Sequence, residues 1–280
     1  MTKYLIIGKD GTLGSEFQRM LGNQAVYLGI EDLDITNESK VLEKISEIKP
    51  ETIINCAAYN AVDKAEDEPE VANLINGTAV GYLAKAAEVV GAKFVHYSTN
   101  YVFSGDDPNG YKETDQPNPQ SNYGRSKLLG EVEAQKHCSK TFIARTTWLY
   151  GKQGQSKSSK KNFVDIMLEL AEQKSEIECV SDQYGQPTWT FDLANHTLQL
   201  VSSQNPYGIY HFVNDGQTSW YGWAEEIFKI KNINIALKAN SFKDWVRPAD
   251  RPQYGILMNT KLPKLRPWQE ALREYLNESI

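Results

Sequence analysis

A chain of 280 residues, 40% of them hydrophobic, is long enough for one large α/β domain or for a main domain with a smaller one grown from its insertions. Its net charge of −6 and pI near 5.4 give no basic field for nucleic acid or an anionic membrane, which leaves a small molecule as the expected partner. Three scattered cysteines, Cys56, Cys138 and Cys179, argue against a disulfide scaffold or a CxxC metal site, and no stretch approaches ~18 uninterrupted apolar residues, so a cytoplasmic protein in a reducing compartment is expected.

The first predicted element is a buried strand, Tyr4-Leu5-Ile6-Ile7. It passes into Gly8-Lys9-Asp10-Gly11-Thr12-Leu13-Gly14 and then into a helical pattern carrying Phe17, Met20 and Leu21. Glycines so placed let the backbone turn sharply and approach a pyrophosphate, while the helix N-terminus offers unpaired amides to the anion. Residues 8–14 are therefore candidates for cofactor binding. A second strand is predicted at Ala25-Val26-Tyr27-Leu28. Beyond it, Asp34 has two readings: the cap of a helix covering Val41, Leu42, Ile45 and Ile48, or, with Ile35, a contact to the adenine or ribose of a dinucleotide. No arginine ends the strand to claim a 2′-phosphate, and Glu31 and Asp32 come a few residues past its tip, so NADH and NADPH both stay open.

Thr52 to Ala58 reads as the fourth-strand equivalent of a dinucleotide fold, ending in Cys56, Ala57 and Ala58, small enough for a cofactor to lie against the backbone. A charged turn, Asp63 to Glu68, leads to Pro69 and a long amphipathic helix through Val71, Leu74, Ile75, Val80, Leu83 and Ala87. The next strand, Lys93 to Ser98, holds His96 as a packed side chain. Strand alternating with helix argues a Rossmann-type α/β fold, a parallel sheet doubly wound with helices on both faces.

That strand ends in Thr99-Asn100-Tyr101, and a loop rich in Asp, Pro, Asn and Gln follows from Gly105 to Asn122. The loop delivers the chain to Tyr123-Gly124-Arg125-Ser126-Lys127, where a phenol and an ammonium share one helix face. A neighbouring ammonium favours phenolate, so Lys127 is expected to draw the tyrosine pKa down from ~10. A further strand, Thr141 to Arg145, runs into Thr146-Thr147-Trp148, putting an aromatic at the sheet's carboxyl edge. Gln153 to Lys161, without an apolar residue, reads as a mobile loop. Helices are predicted around 162–171, 193–201, 220–230 and 268–276, strands at 177–180 and 208–213, and a basic proline-stiffened loop at Arg247-Pro248-Ala249-Asp250-Arg251-Pro252. The expected division is a dinucleotide-binding domain over 1–150, with elements near 177–202 added back, and a smaller α+β substrate domain mainly over 151–280.

The GxxGxxG turn and the YxxxK pair resemble the extended short-chain dehydrogenase/reductase family. Asn55-Cys56-Ala57-Ala58, Ala61-Val62-Asp63-Lys64-Ala65-Glu66, Ser98 to Phe103, Arg145-Thr146-Thr147-Trp148, Asp182 to Thr188 and Arg247-Pro248-Ala249 resemble, within it, the dTDP-4-dehydrorhamnose reductase branch in the same order. The resemblance implies catalytic positions at Thr99, Tyr123 and Lys127 and reduction of dTDP-4-dehydro-L-rhamnose by NADPH or NADH. Tyr123 and Lys127 would also touch the cofactor, Thr99, Asn100, Tyr101 and Trp148 the sugar, and Arg247 the diphosphate. Family members are described with magnesium at a homodimer contact, where Glu16 would be one carboxylate; no self-contained metal cluster is legible, and no metal ligand is assigned. The chain departs from the family at Asn100, commonly aspartate, and in the length of the 153–161 loop. The same triad would serve another nucleotide-sugar ketoreductase or epimerase, and the same fold a non-catalytic regulatory relative.

Overall fold

Short aliphatic runs build the centre of the molecule, which the computed structural model describes over residues 3–156 and 161–278. β1 (Tyr4–Ile7), β2 (Ala25–Leu28), β3 (Thr52–Asn55), β4 (Lys93–Thr99), β6 (Thr141–Thr146) and β11 (Gly208–His211) form one sheet in the order β11-β6-β4-β3-β1-β2. All its pairs are parallel, with Ile7 level with Leu28 on one side and Asn55 on the other. A parallel sheet covered on both faces needs apolar side chains on both, and β1 and β3 are buried at every position.

The period of two along each strand divides the core into two layers. Leu5, Ile7, Ile53, Phe94 and Ile143 face α2 (Glu38–Ile48), α4 (Ala79–Val90) and α5 (Asn122–His137), meeting Val41, Ile45, Leu83, Ala87 and Ala134. Tyr4, Ile6, Ile54, Val95 and Phe142 face α1 (Thr12–Leu21) and α7 (Thr190–Ser202), meeting Phe17, Leu21, Leu193 and Ala194. The helix predicted to run on from Pro69 is broken. α3 (Pro69–Asn73) passes through a π-helical turn, Leu74–Thr78, before α4 begins. The extra residue turns Asn76 inward, where it is fully buried, accepts from the Tyr59 N–H at 2.8 Å and donates to the Tyr59 carbonyl and to Ser126 Oγ.

A second lobe forms around α6 (Phe163–Gln173), α8 (Trp220–Lys231) and α9 (Trp268–Glu278), with β8 (Glu176–Val180) parallel to β13 (Ala236–Asn240). Trp189, Trp223, Trp268 and Tyr275 fill its core. Two-residue strands stitch distant segments together: β5 (Tyr111–Lys112) to β14 (Leu257–Met258), β7 (Leu149–Tyr150) to β10 (Thr188–Trp189), and β9 (Tyr184–Gly185) to β12 (Thr218–Ser219). Among the described residues, no helix is long and apolar enough to cross a membrane.

α5 is fastened to the sheet by charge. Arg145 of β6 donates from Nε and a terminal nitrogen to the two oxygens of Glu131, at 2.8 and 2.6 Å, and both side chains are within 2% of full burial. Ser98 of β4 donates to the same carboxylate at 2.5 Å, and the guanidinium lies over the Phe103 ring. Removing one member strands the other charge out of water. Glu131→Ala is therefore expected to lower unfolding stability by about 3–5 kcal/mol, read from urea or thermal unfolding; a loss below ~1 kcal/mol would show that Arg145 finds another partner.

Candidate active site

At the tip of β1 the chain turns through Gly8, whose φ of +82° favours glycine and whose absent side chain matters: a Cβ there would stand 2.6 Å from the Ala57 nitrogen. The glycine turn thus lies directly against Cys56 and Ala57 at the end of β3. The Gly8 N–H donates to the Leu28 carbonyl at 2.8 Å, tying the turn to β2 as well. Gly11 stands at the N-cap of α1 with no side-chain cap, so the first amides of that helix are left for an anion. Asn55 accepts from the Ala57 N–H and pairs with buried His96 at 3.2 Å, holding the small-residue segment in place. The cradle fits a dinucleotide's diphosphate: a glycine turn, uncapped helix amides, and Cys56 and Ala57 beside them.

Around this cradle the geometry departs from two expectations. Asp34 is not the helix cap: it accepts from the N–H and hydroxyl of Thr36, and Asn37 caps α2 by accepting from the Lys40 N–H. Asp34 is left exposed, next to buried Ile35. Nor is Asp32 beyond reach of the β2 tip, because a turn brings its carboxylate back to accept from the Gly29 N–H at 2.8 Å. The loop predicted over 153–161 touches the site at its start, where the Ser156 N–H donates to the Asp10 carbonyl at 2.7 Å; residues 157–160 lie outside the described residues.

Tyr123 and Lys127 sit in the first turns of α5, whose N-cap Ser121 accepts from the Gly124 N–H. Gly124 lets the helix come in close, since a Cβ there would lie 2.3 Å from the Tyr101 carbonyl. This brings Tyr123 edge-on to the Tyr101 ring, 5.4 Å between centroids, and beside Thr99 at the end of β4. The Thr99 hydroxyl donates to Asn100 Oδ1 and accepts from the Tyr101 N–H, both at 3.2 Å.

The electrostatics run against the expected lowering of the phenol. Burial, with the neighbouring Tyr101, raises the Tyr123 pKa, and a hydrogen bond with Thr99 opposes the shift only in part. Lys127 does not reverse it because its ammonium is turned to the Tyr97 carbonyl, 2.6 Å away. Burial lowers Lys127 itself to about 8, with Glu131 one turn along pulling the other way. At neutral pH the site thus holds a protonated phenol and a charged ammonium: an acid at hydrogen-bond reach of a hydroxyl.

Between this site and the second lobe opens a cavity of about 490 Å³, lined by Tyr101, Gln183, Trp220, Trp245, Arg247 and Arg251 among others. Arg247 lies over the Trp245 ring and 3.9 Å from Asp63. The sequence reading missed Arg251, which grips both oxygens of Asp63 at 2.9 Å and is more buried than Arg247. Its only early signal was membership of the same basic loop. Trp148 does not line the cavity; at φ +44° it stacks on Trp220, 3.8 Å between centroids, and so backs the wall. Asn100 is buried and donates to the Gly255 carbonyl at 3.2 Å, a bond that an ionised aspartate has no proton to make. Glu16 is also buried, its carboxylate engaged by Arg19 at 2.6 Å and by Thr190; among the described residues no group of three His, Cys, Asp or Glu gathers for a metal.

Residues 2–280 match the family described as RmlD substrate binding domain. The spore coat polysaccharide biosynthesis protein SpsK of Bacillus subtilis is 38% identical, covering 99% of this chain and 98% of that protein. The dTDP-4-dehydrorhamnose reductase of Escherichia coli K12 is also 38% identical, over 98% of this chain and 97% of its own. Among solved structures, dTDP-4-dehydrorhamnose reductase of Bacillus anthracis, in complex with NADP, superposes with a TM-score of 0.93 at 38% identity, over 99% of this chain and 100% of that one. A glycine turn against small residues, a YxxxK helix beside a strand-end threonine, and this similarity over nearly the full length agree: the chain belongs to the RmlD family, that of the dTDP-4-dehydrorhamnose reductases.

Proposed function

We propose that the chain is an NAD(P)H-dependent reductase that converts the 4-keto group of dTDP-4-dehydro-L-rhamnose to the alcohol of dTDP-L-rhamnose, with Thr99, Tyr123 and Lys127 as its catalytic residues. The observation that carries this reading is the placement of the buried Tyr123 phenol beside Thr99, on the helix face that also presents Lys127. When bound, the coenzyme supplies hydride from C4 of its dihydronicotinamide. Tyr123 gives its proton to the sugar oxygen as negative charge develops there, and Thr99 donates a hydrogen bond to the same oxygen. Lys127 holds the nicotinamide ribose by its hydroxyls. A raised phenol pKa suits a reductase, because the group must arrive as an acid.

The remaining assignments follow the same reading. Residues 8–14, Asp34, Ile35 and 56–58 hold the coenzyme, with Asp34 and Ile35 at its adenosine end. Arg247, joined by Arg251, takes the diphosphate of the sugar nucleotide, a planar guanidinium being matched to phosphate oxygens. Asn100, Tyr101 and Trp148 shape the sugar's surroundings, the first and last by fixing Gly255 and Trp220. The substrate lobe is the part after residue 150 apart from α7 and β11, which pack with the coenzyme-binding sheet. Work in the cytoplasm and a homodimer with magnesium near Glu16 complete the proposal; within one chain that carboxylate already faces Arg19, so such an ion would need ligands from a partner.

Two measurements test it. With enzymatically generated dTDP-4-dehydro-L-rhamnose, Tyr123→Phe should lose at least ~100-fold in kcat while coenzyme affinity stays within ~3-fold, followed by absorbance of the reduced coenzyme and by binding titration. A kcat within ~3-fold of the wild type would overturn the role of Tyr123. Burial favours the neutral amine, so Lys127 is charged below about pH 8 and loses its proton as pH rises through that value. kcat/KM for the coenzyme should therefore fall above about pH 8, and Lys127→Arg should abolish that limb; a wild-type profile flat to about pH 10 would contradict the assignment.

A further inference from the structure

The turn Ala61-Val62-Asp63-Lys64-Ala65-Glu66, between β3 and α3, carries two carboxylates that reach separate parts of the site. Asp63 accepts from both terminal nitrogens of Arg251 at 2.9 Å and from the Ala249 N–H at 3.3 Å, with Arg247 3.9 Å away, so all these partners come from the 247–251 loop. The Arg251 guanidinium also donates to the Ala249 carbonyl and borders the Tyr101 phenol, whose ring meets Tyr123 edge-on. Glu66, one 3-10 turn further on, accepts from the N–H and the side-chain amide of Asn122, at 2.8 and 3.0 Å. Asn122 is the first residue of α5 and the neighbour of Tyr123. Between the two carboxylates Ala65 is fully buried in one cluster with Tyr123, beside Val62 and Tyr101. Lys64 is exposed and paired with Glu68. The backbone of the turn is held by the Ala65 N–H, which donates to the Ala61 carbonyl, and by the Glu66 N–H, which donates to the Asp63 carbonyl.

We propose that Asp63 and Glu66 are positioning residues that fix the arginine loop relative to the acid, so that a sugar nucleotide held at its diphosphate presents its ketone to Tyr123. The proposal rests on the reductase reading above. A bidentate carboxylate–guanidinium pair sets the direction as well as the separation of its members, and the Arg251 side chain is only 16% exposed, so Asp63 seats the loop more firmly than a solvated ion pair would. Arg251 thus presents a fixed guanidinium, and Arg247, at 42% exposure and 3.9 Å from the carboxylate, one that can turn toward phosphate. That grip is remote from the reacting carbon, so it acts on ground state and transition state alike and shows in KM. The seat of α5 aims a proton that is used only in the transition state, and misplacing it shows in kcat. Two carboxylates three residues apart therefore act on different kinetic constants, which a general loosening of the fold would not do.

Steady-state rates with enzymatically generated dTDP-4-dehydro-L-rhamnose and the better of NADPH and NADH test this, alongside the coenzyme dissociation constant read by quenching of tryptophan fluorescence. Asp63→Asn should raise KM for the sugar nucleotide ~10-fold or more with kcat within ~3-fold, and Glu66→Ala should lower kcat ~10-fold or more with KM within ~3-fold. Lys64→Gln, which removes a charge from the exposed part of the same turn, should leave both constants within ~3-fold, and none of the three should move coenzyme affinity beyond that. Circular dichroism checks that each variant is folded. Constants unmoved by either carboxylate variant, the same constant moved by both, or a carboxylate variant that fails to fold would overturn the proposal, while wild-type turnover would leave the reductase reading standing. A folded wild type that oxidises neither coenzyme with this ketosugar would overturn the reductase reading and this proposal with it.

Discussion

The buried pair of Glu131 and Arg145 is the constraint on which the site depends. Tyr123, Lys127 and Glu131 follow one another at intervals of four along α5, so all three lie on one helix face. Fixing Glu131 to Arg145 of β6 and Ser98 of β4 fixes the roll of that face over the sheet. Thr99 is the residue after Ser98, so the proposed acid and its partner hydroxyl are held by the same anchorage. An apolar pair of similar volume would give comparable stability but would tolerate rotation; a bidentate ion pair does not. Here the geometry of a salt bridge matters more than its energy.

Burial does the electrostatic work that proximity to Lys127 does not. The phenol keeps its proton because it is buried and because the ammonium is directed to the Tyr97 carbonyl. The same burial brings the lysine close to its titration range and leaves it sensitive to pH. The two groups are shifted in opposite directions, the phenol made a weaker acid and the ammonium a stronger one, by one cause that disfavours charge on either. A reductase of a sugar ketone can use both, since proton donation and coenzyme anchoring occur in the same closed space.

Much of this was legible in the chain because the signals are local. Short apolar runs such as Tyr4–Ile7 and Thr52–Asn55 read as buried strands, the glycines at 8, 11 and 14 have the required strand and helix on either side, and a tyrosine four before a lysine defines a helix face. Elements whose form depends on a distant contact were not legible. The π-helical turn at Leu74–Thr78 exists because Asn76 bonds to Tyr59 and Ser126, neither of which periodicity can register. Asp32 seemed too far along to reach the tip of β2, since counting residues does not reveal a turn that folds back. Arg251 meets Asp63 across 188 positions of sequence, and the cavity draws on segments from Tyr101 to Arg251. The direction of the Tyr123 shift was misread for a related reason: spacing tells that a lysine is near, not where its ammonium points.

The most direct measurement is the fate of the hydride. Reduction of dTDP-4-dehydro-L-rhamnose with coenzyme deuterated at the dihydronicotinamide C4, followed by mass spectrometry and NMR of the product, should yield dTDP-L-rhamnose with a single deuterium on carbon 4 of the sugar and none on its oxygen after exchange into ordinary water. Deuterium at any other carbon, or coenzyme left unoxidised by a folded protein that binds it, would contradict reduction of the 4-keto group at this site.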